Sequence, residues 1–524
     1  MEFYNAVKKY GSVNAAAKQL GIPYSTFRRK LEKERRDSMK SFTLPPAISH
    51  QADRVKHFII SSAQDKTSVH KDFLANLEAY AKYLDAEILI GGFTYSKKLF
   101  MDNDPTSRND DVWFADEVEP YIVHDRVAIG DMVLFCAEMN TLPTATLPLS
   151  GLETYTKDKW GIFPHTKIQL RSIANKKNAL TKQIMTTGAV TLPNYIRKKA
   201  GVKAEFHHQI GAVVVSIAPD GAFFCRHIQA TSHEDGSFYD LDRYVSGGEV
   251  TDEHRPLAMV HGDIHIEKID PDVAWTTWGY DVENRRCVDK PNSLTNILRP
   301  EVRVFHDIID FSARNHHNID DHHFRYRSYF HGNDSVKSDL NLGATFLKEI
   351  GDPDITDYVI QSNHDNALVR WLKNFNVRYD PENYEFWLEC ELKYIKALKS
   401  VGSCFLFKEV MQELGVPESV TFIPEDGEDS ELVLAGVDLS MHGHQGANGG
   451  RGSAVAFTKM GPKSITGHSH SPSITDGHMA TGTNSLLDMG YNTGLSSWAH
   501  TNAILYQNGQ RTLITMMNGR WFEV

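Results

Sequence analysis

Leu257-Ala258-Met259-Val260-His261-Gly262-Asp263-Ile264-His265 joins a short apolar run to a carboxylate and an imidazole two residues apart. The run 257–260 predicts a buried strand, because four consecutive apolar residues bounded by polar ones suit a strand covered on both faces. In extended backbone, side chains two apart share a face. Asp263 and His265 are therefore expected to project together from the strand's C-terminal end, where they make half a metal site.

The same grammar recurs downstream. A strand containing Val302, Val304 and Phe305 delivers His306-Asp307, and the two oxygens of a second carboxylate there can each bind one of two cations. A strand at 358–360 runs into Ser362-Asn363-His364-Asp365. The Asn363 carbonyl is a neutral hard ligand, and His364 beside it can donate a proton without being a ligand. A strand near 432–439 leads to Met441-His442-Gly443-His444, and 464–466 leads to Gly467-His468-Ser469-His470. The fourth motif offers two histidines; His442 directly follows its strand and is preferred to His444. Seven candidate ligands result: Asp263, His265, Asp307, Asn363, His442, His468 and His470. Oxygen and nitrogen donors without thiolate suit a pair of divalent cations, Mn first and Mg, Fe or Zn as alternatives, better than a closed structural zinc. Such a pair clamps a phosphoryl group.

In this order the five motifs resemble the calcineurin-like metallophosphoesterase superfamily over 257–524. The resemblance implies a four-layer α/β/β/α sandwich. It puts Asp263, His265 and His470 on one metal and Asn363, His442 and His468 on the other, with Asp307 bridging. It also makes His364 the catalytic residue at the leaving oxygen, oriented by Asp365. His306 and Ser362 stand where the family has glycine. The gaps between 265, 307 and 363 are long for the family and predict insertions near 271–300 and 311–355. The second insertion carries His316, His317, Asp321, His322, His323, Arg325, Tyr326 and Arg327, a composition suited to phosphates and exposed bases.

Outside this half, residues 1–36 hold nine Lys/Arg against three Glu, a net charge of +6, while the rest of the chain carries −17. Three short helices are expected there, with a turn at Gly21 and Pro23 near the start of the third. That pattern predicts a helix-turn-helix-like module over 1–37 whose Ser25, Thr26, Arg28, Arg29 and Lys30 meet DNA. Pro45 and Pro46 mark a linker over 38–55. Residues 56–250 read as an additional α/β domain with strands at 58–60, 87–90, 127–135 and 212–217 and a helix at 73–84, and 251–524 as the metallophosphoesterase domain. Asn508-Gly509 predicts a C-terminal hairpin belonging to the second sheet of the sandwich.

A composition of 41% hydrophobic and 23% charged residues describes a globular chain. No apolar run is long enough to span a membrane, and no secretory signal opens the chain, so a cytoplasmic protein without a membrane partner is expected. The five scattered cysteines read as reduced thiols. A homo-oligomer is allowed. The basic helices, the Arg/His-rich insertion and the extra domain favour DNA as substrate. The whole arrangement resembles the pre-early first-step-transfer DNases of tequintavirus-type bacteriophages, which implies degradation of host DNA in the infected bacterium's cytoplasm. Two other readings stand beside this one: a phosphatase or cyclic-nucleotide phosphodiesterase, and a non-enzymatic DNA-binding regulator.

Overall fold

Four parallel strands, Ala258–Val260, Val302–Phe305, Thr356–Ile360 and Val420–Ile423, and an antiparallel hairpin, Thr501–Leu505 with Arg511–Thr515, build a six-stranded sheet. The computed structural model describes residues 2–10, 13–39, 55–95, 114–177, 179–288, 293–315, 321–374, 376–400 and 402–521. Side chains alternate across this sheet, as strand geometry requires. Val260, Val304, Ile360 and Ile423 face one core, while Phe305, Val359 and Phe422 face another. Phe305, Val359 and Phe422 pack under the helices Val336–Glu349, Asp365–Asn374 and Leu406–Glu413. Arg303 and Asp357 are register partners on neighbouring strands, and their buried ion pair, with Nε 2.7 Å from the carboxylate, satisfies both charges.

The opposite core is shared with two further sheets. Val437, Ile465, Ile474 and Met479 come from a ten-stranded sheet, and Phe58, Ile60, Val213 and Val215 from a five-stranded one. The five-stranded sheet turns its other face, with Ile59, Ile88, Ile90 and Val214, against the helix Lys71–Leu84. The fold is therefore mixed α/β.

Several sequence expectations change here. The ten-stranded sheet takes Val127–Ile129, Val133–Phe135, Trp160–Phe163, Leu170–Ile173 and Lys182–Thr186 from before residue 250, and Val433–Leu434, Val437–Asp438, Lys463–Thr466, Ser473–Thr475 and His478–Ala480 from after it. The pairing of Ser473 with Arg171 joins the two sets. The expected boundary at 250/251 is thus crossed by a continuous hydrogen-bonded ladder. The C-terminal hairpin pairs with Ala258–Val260, in the sheet of the first three motifs rather than the second sheet. The long gaps hold crossover elements: Pro271–Trp278 and Leu294–Leu298 precede Val302–Phe305, and Val336–Glu349 precedes Thr356–Ile360. Parallel strands require such connections, so part of each gap is a crossover helix.

The amino-terminal helices are Glu2–Tyr10, Val13–Gln19 and Tyr24–Met39, packed through Val7, Ala16, Ala17, Phe27 and Leu31. Gly21 takes the left-handed conformation (φ 62°) that the turn between the last two needs. Ser25, Arg28, Arg29 and Lys30 are exposed and Thr26 is half-buried. The third helix runs two residues into the expected linker, whose residues 40–54 lie outside the described ones, as do His316 and His317. All five cysteines are free thiols. Among the described residues no helix is long and apolar enough to cross a membrane.

Candidate metal centre

All five motifs emerge at one edge, where the C-terminal ends of Ala258–Val260, Val302–Phe305 and Thr356–Ile360 meet those of Val437–Asp438 and Lys463–Thr466. Past the strand ends, a run of backbone hydrogen bonds binds the first motif to the second. Backbone N–H groups of Ile264, His265 and Ile266 donate to the carbonyls of His306, Asp307 and Ile308 at 3.1, 2.7 and 2.9 Å. Four candidate ligands then adopt left-handed backbone: His265 (φ 46°), Asp307 (φ 45°), His468 (φ 66°) and His470 (φ 52°). Each such residue costs about 1–3 kcal/mol, so the surrounding hydrogen bonds must impose it. The gain is that consecutive side chains turn back into one pocket.

Asp263, His265, Asp307 and His470 offer ligand atoms within 4.8 Å of one another, and so do Asp307, His442 and His468. Asp307 belongs to both groups. His470 Nε2 lies 2.9 Å from Asp263 Oδ2, His265 Nε2 lies 3.1 Å from His470 Nε2, and His442 Nε2 lies 3.2 Å from Asp307 Oδ2. Asn363 Oδ1 is 3.0 Å from His442 Nε2, on the side of the second group. The structure thus brings all seven candidates together. His442 points into the cluster, whereas His444 faces Glu425, with Nε2 3.0 Å from Oε1.

This donor set fits divalent cations. Asp263, Asp307 and His442 are essentially dry, yet Asp263 Oδ1, Asp307 Oδ1 and His442 Nδ1 have no hydrogen-bond partner. Buried polar atoms are rarely left so, and metal coordination is one remedy. Electrostatics agree. Burial works against the Asp263 charge, but the attached His470 and nearby His442 hold its carboxyl down to about 2. Burial also opposes charge on His442, but contact with Asp307 pushes that imidazole up to about 9. Burial and the neighbouring His442 pull His468 down to about 4.

A ligand histidine must be neutral. At pH 7 His442 lies below its raised pKa and carries a proton, which a cation has to displace. Burial also opposes charge on His265, but Asp310 and Asp307 raise its pKa, so Mn²⁺ binding is expected to release at least about one proton per chain and to tighten as pH rises toward 9. Calorimetric titration in buffers of different ionisation enthalpy measures this release, and a heat independent of buffer contradicts it.

Gly467 shows how closely the wall fits. A Cβ there would collide with Asp263 Oδ1 and press on His306. Gly467→Ala is expected to displace the Asp263 carboxylate and weaken metal affinity about 10–100-fold, the range typical of disturbed ligand orientation. Equilibrium dialysis against Mn²⁺ reads the change, and unaltered affinity would show that this wall yields.

His364 lies against the cluster, its ring centroid 4.7 Å from that of His265. The expected orienter Asp365 instead closes the start of its own helix, where Oδ2 accepts from Ser362 N at 2.9 Å. Asp310 takes the orienting place. Its backbone carbonyl is 2.9 Å from His364 Nδ1 and its carboxylate is 3.5 Å from His265 Nδ1. Sequence reasoning passed over Asp310, although a second carboxylate three residues beyond Asp307 was a readable signal. Lys268 Nζ sits 2.8 Å from Asp310 and already supplies a counter-charge there. Burial opposes the Asp310 charge, but His265, Lys268 and His364 hold it well below the carboxylate range. The loop bearing Asp310 is fastened by Glu267, whose carboxylate accepts from Asp310 N (2.7 Å) and Ser312 N (3.2 Å). Trp498 closes the wall behind His470, with ring centroids 4.3 Å apart.

The chain is similar to "Protein A1" of Escherichia phage T5, with 37% identity over 477 residues, spanning 89% of this chain and 83% of the relative. No protein-family model matches the chain, and no solved structure matches it.

Proposed function

The chain belongs to the family of phage T5 Protein A1, and from that premise we propose that this phage protein is a two-metal phosphodiesterase of metallophosphoesterase type that cuts DNA. The observation that carries the reading is the membership of Asp307 in both donor groups. A carboxylate shared by two clusters of neutral and anionic donors suits a cation pair rather than a single ion.

Asp263, His265, Asp307 and His470 would hold one cation and Asp307, Asn363, His442 and His468 the other, with Mn favoured by this hard and borderline donor set. Bound there, the cations supply Lewis-acid activation of a phosphodiester and of the attacking water. The chain's own groups do the rest. A backbone carbonyl only accepts hydrogen bonds, so His364 Nδ1 donates to Asp310 and its Nε2 is left for the substrate. Protonated at Nε2, His364 delivers a proton to the leaving oxygen. Asp310 holds the His364 ring through its carbonyl and balances its charge through its carboxylate.

DNA is favoured as substrate by two exposed surfaces. Arg28, Arg29 and Lys30 line the third amino-terminal helix on the basic module. The helix His322–Phe330 buries none of its side chains and presents Tyr326, Tyr329 and Phe330 beside Arg327. Aromatic rings interleaved with cations stack on bases and neutralise phosphates. In this reading the enzyme degrades host DNA in the cytoplasm of the infected cell.

The decisive experiment incubates the protein and Mn²⁺ with plasmid DNA and, separately, with a small phosphodiester ester. Cleavage of the plasmid is expected. Ester cleavage with intact plasmid would leave a small-molecule phosphodiesterase, and bound but uncut DNA would leave a regulator. Deleting residues 1–36 is expected to weaken DNA binding and reduce the slope of log affinity against log salt by about two to three, the share of three lost phosphate contacts. Fluorescence anisotropy across a salt series measures it, and an unchanged slope removes that module from DNA contact.

A further inference from the structure

A cavity of about 340 Å³ opens at the end of the strand Lys463–Thr466 remote from the metal centre. Lys463 begins that strand and lines the cavity, whereas His468 lies beyond its other end. Arg511, the first residue of the strand Arg511–Thr515, also lines it, and so does Phe206, the last residue of the helix Lys199–Phe206. The volume falls within the range of small-molecule sites.

Arg511 is the unusual group. It is only 7% exposed. Among the described residues, the other buried arginines, Arg126, Arg226, Arg243, Arg303 and Arg314, each pair with a carboxylate. Arg511 pairs with none. Its Nη1 donates to the carbonyls of Ser464 and Gly477 at 2.9 and 2.8 Å. A guanidinium has five N–H donors, and no described acceptor takes those on Nε and Nη2. Burial pushes the Arg511 pKa down to about 10, and no acid opposes the fall. The group is still charged at pH 7. A buried charge without a counter-charge is costly, and a bound anion removes that cost.

Lys463 adds a second cation. Its side chain is exposed at the mouth, and desolvation followed by the Arg511 charge lowers its pKa. The acid in the cavity wall, Asp476, is already engaged by Lys167 Nζ and by His207 Nδ1, the latter at 3.4 Å. Lys463 and Arg511 are therefore left without a counter-charge, and a guanidinium beside an ammonium suits the oxygens of a phosphate. Phe206 is 81% exposed, the highest value among the described large apolar side chains. An aromatic ring on the rim of a cationic cavity suits a nucleobase.

We propose that this cavity binds a mononucleotide, with Arg511 and Lys463 holding its phosphate and Phe206 stacking on its base. The site is separate from the metal centre, and the inference does not rest on the reaction proposed above.

Calorimetric titration of the full chain with deoxyadenosine monophosphate tests it, after chelation so that no metal-bound phosphate contributes. One site per chain is expected, with a Kd of about 10–100 µM from the ligand efficiency of a molecule this size. Lys463→Glu, at an exposed position, is expected to weaken binding about 10- to 100-fold, and Phe206→Ala at least about 5-fold. Arg511→Gln is expected to abolish it. Because that change also removes the ties to Ser464 and Gly477, Lys463→Glu decides if the Arg511 variant melts early. Inorganic phosphate and deoxyadenosine are each expected to bind more weakly than the nucleotide. The proposal is overturned by no binding up to about 1 mM, by binding indifferent to Lys463→Glu, or by deoxyadenosine or inorganic phosphate binding as tightly as the nucleotide. It is overturned equally by an unphosphorylated oligonucleotide that competes as well as the mononucleotide, which would make the cavity a contact for a DNA strand.

Discussion

If the proposed two-metal cleavage of DNA holds, replacing Asp307 with alanine will lower it by more than about a thousandfold, beyond the cost of deleting one transition-state hydrogen-bond donor. The size follows from its position. Asp307 is shared by the two groups that together hold six of the seven candidates, so its loss disables both, whereas the other shared residue, His265, joins the first group to Asp310 and His364. The fold is expected to persist, because the cores above and below the six-stranded sheet are built from other residues. Local electrostatics will change. His442 owes its raised pKa first to Asp307 among the groups that favour its charge, so the variant's His442 loses its proton nearer neutrality. Asp307→Asn keeps the shape while removing the charge and separates the two effects. Metal content by mass spectrometry, circular dichroism and plasmid cleavage read the three quantities. A variant that cuts at the wild-type rate ends the two-metal reading.

His364→Ala will retain metal and fold but lose about 10²- to 10⁴-fold in kcat, the usual contribution of a positioned acid. Only the doubly protonated ring can donate from Nε2, since Nδ1–H is committed to the Asp310 carbonyl. The rate therefore declines as pH rises through the His364 pKa. Burial pulls that pKa below the ordinary 6.5, with Asp307 and Asp310 opposing. The descending limb of the wild-type pH profile is expected to be absent in the variant. Full metal occupancy with an unchanged limb would assign the proton to another group.

Much of the donor cluster was legible because each candidate follows its strand within a few residues. An apolar run and the donors after it are local facts, but the turn into the pocket is made by left-handed backbone at His265, Asp307, His468 and His470 and not by the strand period. That logic reached Asp263, His265, Asp307, Asn363, His442, His468 and His470. It did not reach Asp310, whose role depends on a loop folded back by Glu267. It assigned the orienting role to Asp365, adjacent in sequence to His364 but turned toward Ser362. Sequence adjacency says little about direction once a helix begins, and Asp365 is the first residue of one. The sheets were misjudged for a different reason. Leu170–Ile173 finds its neighbour some three hundred residues later, at Ser473–Thr475. No local period encodes such a partner.

That interleaving sets the order in which the molecule can mature. A ribosome finishes residues 127–186 long before Ser473–Thr475 exists, so those strands must wait with an open edge, the condition that favours mispairing and slow, non-local folding. His470 lies three residues before the closing strand and belongs to the last part of the pocket to be synthesised. The donor cluster is thus incomplete until His470 has been made. A fragment cut at residue 250 inherits an unsealed seam, so the carboxy-terminal half is not a self-contained unit.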